Sequence, residues 1–210
     1  MKINEIFYSI QGEGKQSGQP TIFIRITGCN LRCSFCDTAY AYYEGTEMTI
    51  SQILERIKTY PCKEVCVTGG EPLLQEGLID LLNALLKKSY RVTVETNGSI
   101  LITPIIENIS NIMMSLDIKC PSSGMQNDMQ LGNLKVLRKD DQLKCVISNK
   151  TDYEFAKNIL ETYKPSCQLF FQPVWGSDPK KLAKWMLNDG IQARLGVQLH
   201  KILWGNAKGK

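Results

Sequence analysis

Cys29, Cys33 and Cys36 lie in the run Gly28-Cys29-Asn30-Leu31-Arg32-Cys33-Ser34-Phe35-Cys36-Asp37, spaced C-x3-C-x2-C directly after the apolar stretch Thr21 to Ile26. Thiolates are soft ligands that favour iron–sulfur clusters, zinc or Cu(I) over hard cations. Three of them in one short loop can wrap a single cluster. A four-iron cube held at three corners keeps one iron open to another ligand, whereas a structural zinc site takes a fourth protein ligand. Cys62, Cys66, Cys120, Cys145 and Cys167 stand singly in strand-like or loop segments, where cysteine behaves as a small buried hydrophobe. A second metal site from Cys62, Cys66 and Cys120 is disfavoured, because Cys66 falls inside the apolar strand Val65 to Val67.

The segments that must position these thiols alternate in type. Thr21 to Ile26 reads as a first strand, Glu64 to Thr68 as a second, Arg91 to Glu95 and Ile112 to Asp117 as a third and fourth, and Gln142 to Ile147 and Gln168 to Gln172 as a fifth and sixth. Between them come helical patterns. Thr49 to Tyr60 carries Ile50, Ile53, Leu54 and Ile57 on one face, behind a Thr49-x-x-Gln52 capping box. Gln75 to Lys88 spaces Leu78, Leu81, Leu82 and Leu85 helically and ends in Lys87 and Lys88, as the helix dipole prefers. A short helix from about Pro104, Asp152 to Tyr163 and Pro179 to Asn188 complete the set. This order predicts an α/β protein with parallel strands, whose function gathers at the strands' carboxyl ends. There stand Thr68-Gly69-Gly70-Glu71-Pro72, Thr96-Asn97-Gly98, Asp117-Ile118-Lys119 and Gln172-Pro173.

Arg25 sits within the apolar run Ile22 to Ile26, where a charge is costly unless paired. Strand alternation puts it on one face with Phe23, opposite Ile24 and Ile26; the bland alternative is an edge strand with Arg25 in solvent. Gly12, Gly14 and Gly18 do not form a phosphate-binding G-x-G-x-x-G, and no βαβ unit surrounds them.

The chain has 210 residues, eight cysteines, and a net charge of +4 from 25 basic and 21 acidic side chains. That length predicts one domain, residues 1–210. The mild basicity gives no argument for nucleic acid, and no stretch has the apolar length of a membrane span. Few cysteines for a disulfide scaffold, and no signal-peptide pattern at Met1 to Gln11, predict a reduced, cytoplasmic setting.

The cysteine spacing, with Phe35 in the aromatic slot before the last cysteine, resembles the signature of the radical S-adenosylmethionine (SAM) enzymes, and Thr68 to Pro72 resembles their GGEP motif. The opening Glu5-Ile6-Phe7-Tyr8-Ser9-Ile10-Gln11-Gly12-Glu13-Gly14 narrows the resemblance to the family of 7-carboxy-7-deazaguanine synthases. Cys36-Asp37-Thr38, Val67 to Pro72, Glu95 to Gly98 and Gln198-Leu199-His200-Lys201 agree with it.

The resemblance implies an incomplete (β/α)6 barrel of the TIM-like kind with a reduced helical layer, since the polar, Met-rich Pro121 to Gln130 is too short for a full helix. It implies a 4Fe-4S cluster on Cys29, Cys33 and Cys36, SAM held by Gly70, Glu71, Ser115, Lys119, Gln172 and Pro173, and Mg2+ at Thr38. The reaction it implies is a lyase-type contraction of 6-carboxy-5,6,7,8-tetrahydropterin to 7-carboxy-7-deazaguanine with loss of ammonia, using SAM catalytically. Ile10, Gln11, Gly12, Glu13, Arg25, Thr68, Asn97 and His200 would hold the substrate, with His200 placed near the end of a last strand. The chemistry assigns Arg25 to the pterin carboxylate, Gln11 and Gly12 to the guanine-like edge, and Glu13 to its amino groups. Implied partners are an electron donor such as flavodoxin or ferredoxin and a second copy in a homodimer. The tail Trp204 to Lys210 departs from the family pattern, so no role is carried onto it. Two alternatives stay in view: an activase of glycyl-radical enzymes, and a non-enzymatic iron–sulfur or zinc module.

Overall fold

A computed structural model describes residues 1–210. The chain opens with a strand that period and composition did not disclose, β1 (Lys2–Ile10), followed by β2 (Pro20–Ile26) as its antiparallel partner. The motif-bearing opening is therefore half strand and half hairpin loop. Parallel β4 (Glu64–Gly69), β5 (Arg91–Thr96), β6 (Ile112–Ile118), β7 (Gln142–Ile147) and β8 (Gln168–Pro173) follow β2 in spatial order, and two-residue strands, β3 (Thr46–Glu47) and β9 (Arg194–Leu195), sit at the edges. The sheet has nine strands in the order β3-β1-β2-β4-β5-β6-β7-β8-β9.

Helices α1 (Ile50–Ile57), α2 (Leu78–Lys87), α3 (Thr103–Asn108), α4 (Lys150–Tyr163) and α5 (Pro179–Asp189) pack outside this sheet, and α6 (Leu199–Trp204) comes last. The expected capping box starts α1: Gln52 N donates to Thr49 Oγ1 at 3.2 Å and Thr49 N donates to Gln52 Oε1 at 2.8 Å. After β6 only short 3-10 turns appear, at Pro121–Ser123, Gln126–Asp128 and Leu131–Lys135, so the helical layer is incomplete there.

The sheet curls. The hairpin loop after β1 touches β5 and β7: Thr93 Oγ1 donates to Gln16 Oε1 at 2.8 Å, and Lys15 N donates to Gln142 Oε1 at 2.7 Å. In a flat sheet β2 and β7, four strand spacings apart, would be separated by about 19 Å. The hydrophobic core lies on the convex side, where Ile22, Ile24, Val65, Val67, Val94, Leu116 and Leu143 meet Ile53, Leu81, Leu82, Leu85, Tyr153 and Leu182. Strand alternation sends the intervening residues to the concave side. These are Arg25, Thr68, Glu95, Ser115, Asp117, Lys144 and Gln172, and register places Arg25 beside Thr68, Glu95 beside Ser115, and Asp117 beside Lys144. His200 belongs to α6 and not to a strand end as expected. The start of its helix is tied to the hairpin loop, with Leu199 N donating to Gly12 O at 2.9 Å.

No helix is long and apolar enough to cross a membrane.

Candidate active site

A cavity of about 530 Å³ fills the concave side, within the usual range of ligand pockets. Its rim is the cysteine loop. Cys29, Cys33 and Cys36 all line it, and all three thiols are free. No further cysteine joins the lining. No three His, Cys, Asp or Glu side chains converge as a single-ion site requires; sulfurs around one zinc would sit within about 4 Å of each other. Three separated thiols facing one space fit the corners of a cluster, with each cysteine on its own iron.

The loop is clamped from three sides. Glu71 N donates to Gly28 O at 2.7 Å, Asn30 Nδ2 donates to Ser99 Oγ at 2.8 Å, and Ser34 N donates to Ser123 O at 3.1 Å. Gly70 makes the first clamp feasible, because a Cβ there would stand 2.0 Å from Gly28 O. The close approach that the Gly-Gly pair permits is thus between two stretches of backbone. Leu31 N and Asn97 Nδ2 point at Cys29 Sγ, at 3.4 and 3.7 Å. Burial pushes the Cys29 and Cys33 thiols above the ordinary thiol range, and donors of this kind stabilise sulfur once it carries charge.

Glu71 departs from the expected SAM-contact position. Its carboxylate is fully covered and is absent from the cavity lining. It accepts from Leu73 N at 3.0 Å, Thr96 Oγ1 at 2.8 Å and Asn97 N at 2.7 Å. The glutamate fixes the turn that carries Asn97, and burial raises its pKa against those bonds. Pro173, ending β8, also lies outside the lining, whereas Gly70, Ser115, Lys119 and Gln172 lie within it. Both amide atoms of Gln172 are buried without a protein partner, as expected of a group whose partner is a polar ligand.

The floor comes from the hairpin loop. Ile10, Gln11, Gly12 and Glu13 line the cavity from below, because antiparallel β1 delivers its carboxyl end to the amino ends of the parallel strands. Gly12 has no room for a side chain: a Cβ would stand 2.0 Å from His200 Nδ1. Thr68, Asn97 and His200 complete the walls, and Thr38 lies beside the cysteines with Oγ1 donating to Asp37 Oδ1 at 2.8 Å. The tail returns as well, with Asn206 and Lys210 in the lining.

Arg25 is inside, not on a solvent edge. Its Nε donates to Glu5 Oε1 at 2.7 Å, and its guanidinium lies 5.6 Å from the Phe7 ring centre and 5.9 Å from that of Tyr40. Burial opposes its charge, but Tyr40, Glu5 and Glu95 together raise its pKa above the usual value. Deeper in, Lys144 pairs with Glu13 and with Asp117 Oδ2 at 3.4 Å, while Lys119 reaches Asp117 Oδ2 at 3.2 Å. Burial alone would raise the Glu13 pKa, but the Lys144 ammonium, His200 and the Gln198 amide together outweigh it and lower the carboxyl to about 2. Gln11 Nε2 and Thr68 Oγ1 each donate to the Glu95 carboxylate at 3.2 Å. No motif or spacing in the sequence assigns a role to Glu5, Glu95 or Lys144. A lone lysine among apolar residues in Gln142–Ile147, read by alternation, carried the signal for the last of them.

A curled α/β sheet with three thiols at the carboxyl rim of a polar cavity is the architecture of a radical SAM enzyme, and the radical SAM superfamily model matches residues 23–132. The 7-carboxy-7-deazaguanine synthase of Thermoplasma acidophilum is 39% identical over 209 residues, covering 100% of both chains. That of Clostridium acetobutylicum is 39% identical, covering 99% of this chain and 97% of the relative. Among solved structures, QueE from Escherichia coli superposes with a TM-score of 0.77 at 25% identity, covering 95% of this chain and 94% of that one. The chain belongs to the 7-carboxy-7-deazaguanine synthase family. It is accordingly a radical SAM lyase acting on a small molecule, with a 4Fe-4S cluster and SAM as cofactors.

Proposed function

We propose that this cavity contracts 6-carboxy-5,6,7,8-tetrahydropterin to 7-carboxy-7-deazaguanine with release of ammonia, and that its residues divide the work between rim and floor. Cys29, Cys33 and Cys36 hold the cluster, which with SAM supplies a 5′-deoxyadenosyl radical. Gly70, Ser115, Lys119 and Gln172 bind SAM, and Glu71 acts behind them by fixing Asn97. Radical chemistry needs few protein acids and much fixed geometry, which this chain supplies through rigid strands and paired charges.

Arg25 is the observation that carries the substrate assignment. Only its Nε is spent on Glu5, which leaves the two terminal nitrogens for a bidentate bond to the pterin carboxylate. Gln11, Gly12 and Glu13 read the amino and carbonyl edge of the ring from the floor, and Ile10, Thr68, Asn97 and His200 close around it. Thr38 is the protein's ligand to Mg2+. That ion keeps most of its waters and leans on substrate oxygens, so a single threonine hydroxyl would be a sufficient protein contribution alongside the bound substrate.

Residues 1–210 act as one radical SAM domain, with electrons from a flavodoxin- or ferredoxin-like donor. Exposed Leu195, Val197, Ile202 and Trp204 around β9 and α6 support a homodimer, and eight free cysteines suit a reducing cytoplasm. The test is anaerobic turnover by the reduced protein with SAM, Mg2+ and 6-carboxytetrahydropterin, followed by mass spectrometry. The deazapurine and ammonia are expected; activation of a glycyl-radical partner without pterin turnover would reject the assignment.

A further inference from the structure

Lys144 is a charged side chain in the middle of a strand whose neighbours Leu143 and Cys145 face the core. Its side chain is 9% exposed, and its ammonium sits between Glu13 and Asp117. A buried ion pair seldom stabilises a fold more than apolar residues of the same volume would. Stability therefore gives little reason for a lysine at this position, and its partners suggest another.

Glu13 lies on the hairpin loop, outside the strands, and must present one carboxylate to the site. Three bonds define it. Lys144 takes Oε2, Gln198 Nε2 donates to Oε1 at 3.0 Å, and the Glu13 main-chain N donates to Gln11 Oε1 at 3.3 Å. Lys144 is in turn fixed by Asp117 and register-paired to it across β6 and β7. Lys119 reaches the same oxygen, Asp117 Oδ2, at 3.2 Å. Charges alternate along Glu13, Lys144, Asp117 and Lys119, from the floor to the rim, so each holds its neighbour in one place. Without the lysine, two carboxylates would face each other across a buried gap.

We infer that Lys144 is a positioning residue for the reaction: it touches no reacting atom, but holds the Glu13 carboxylate in one place, aimed at the amino edge of the substrate. The inference rests on Glu13 as a substrate contact. It assigns substrate affinity to a strand residue that no motif marks.

The test is a double-mutant cycle on the full-length, cluster-loaded enzyme, with KM and kcat measured for the pterin. Lys144→Met and Glu13→Gln should each raise KM roughly ten- to a hundredfold, with kcat changed far less, as for loss of a bond to a charged group. The double variant should be no worse than Glu13→Gln alone. Lys144→Arg, which keeps the charge, should recover much of the loss and should have no effect in the Glu13→Gln background. This second variant decides the matter if Lys144→Met folds poorly. Losses that multiply in the double variant, or an unchanged KM in Lys144→Met, would overturn the inference while leaving Glu13 as a substrate contact. An unchanged KM in Glu13→Gln would remove the substrate contact itself, and the inference with it.

Discussion

Each strand of the curled sheet has two faces with opposite chemistry. In β7, Leu143, Cys145 and Ile147 pack outward into the core, while Gln142, Lys144 and Val146 turn inward. In β2, Ile22, Ile24 and Ile26 are fully covered on one side, and Phe23 and Arg25 line the cavity on the other. The outer face is apolar and gains free energy in proportion to area, with little regard for which aliphatic residue stands where. The inner face is a set of named pairs, each of which fails when one member is removed. Stability and activity should therefore separate by face.

The largest effect on the inner side is expected from Cys33→Ala. It should lose iron and leave no measurable deazapurine formation, and iron analysis beside a product assay would check it. On the outer side Leu82→Ala should cost about 2–5 kcal/mol of unfolding free energy, with KM for the pterin unchanged once the protein is folded. A changed KM would break the separation. Arg25→Ala should show the converse, a KM roughly ten- to a hundredfold higher.

Acid sharpens the contrast. The Glu13 pKa in the folded chain is lowered from 4.5 to about 2, so its ionised form favours folding above the unfolded value, and that contribution fades as pH falls from about 5 towards about 2. Urea unfolding of the full chain across this range should show the loss, and in Lys144→Met, where burial acts on Glu13 without the ammonium, the loss from this group should vanish or reverse. The smallest effect belongs to the periphery: Thr49→Ala removes the α1 cap and should cost about 1 kcal/mol, without change in turnover.

The outer face was the legible one. The leucines of α2, the capping box of α1 and all of β7 follow from periodicity, because burial against helices imposes it. β1 escaped because most of its residues are only half-buried, and its order comes from pairing with β2 rather than from its own pattern. Spacing located the cysteines, a charge inside an apolar strand marked Arg25, and motif resemblance located the floor residues, but none of these signals shows how they are held. Glu71 lies behind the wall, and Glu5, Glu95 and Lys144 acquire partners 20, 84 and 131 residues away in sequence. Such pairs exist only once the sheet has curled. His200, expected at a strand end, sits on a six-residue helix too short to show a period.

Everything proposed for the inner face depends on three thiols holding a cluster that leaves one iron to SAM. Mössbauer spectroscopy of the anaerobically loaded protein, with and without SAM, tests this most directly. One iron site should change its parameters when SAM binds, while the sites held by Cys29, Cys33 and Cys36 stay as they were. A spectrum without cluster iron, or one that SAM leaves untouched, would contradict the account.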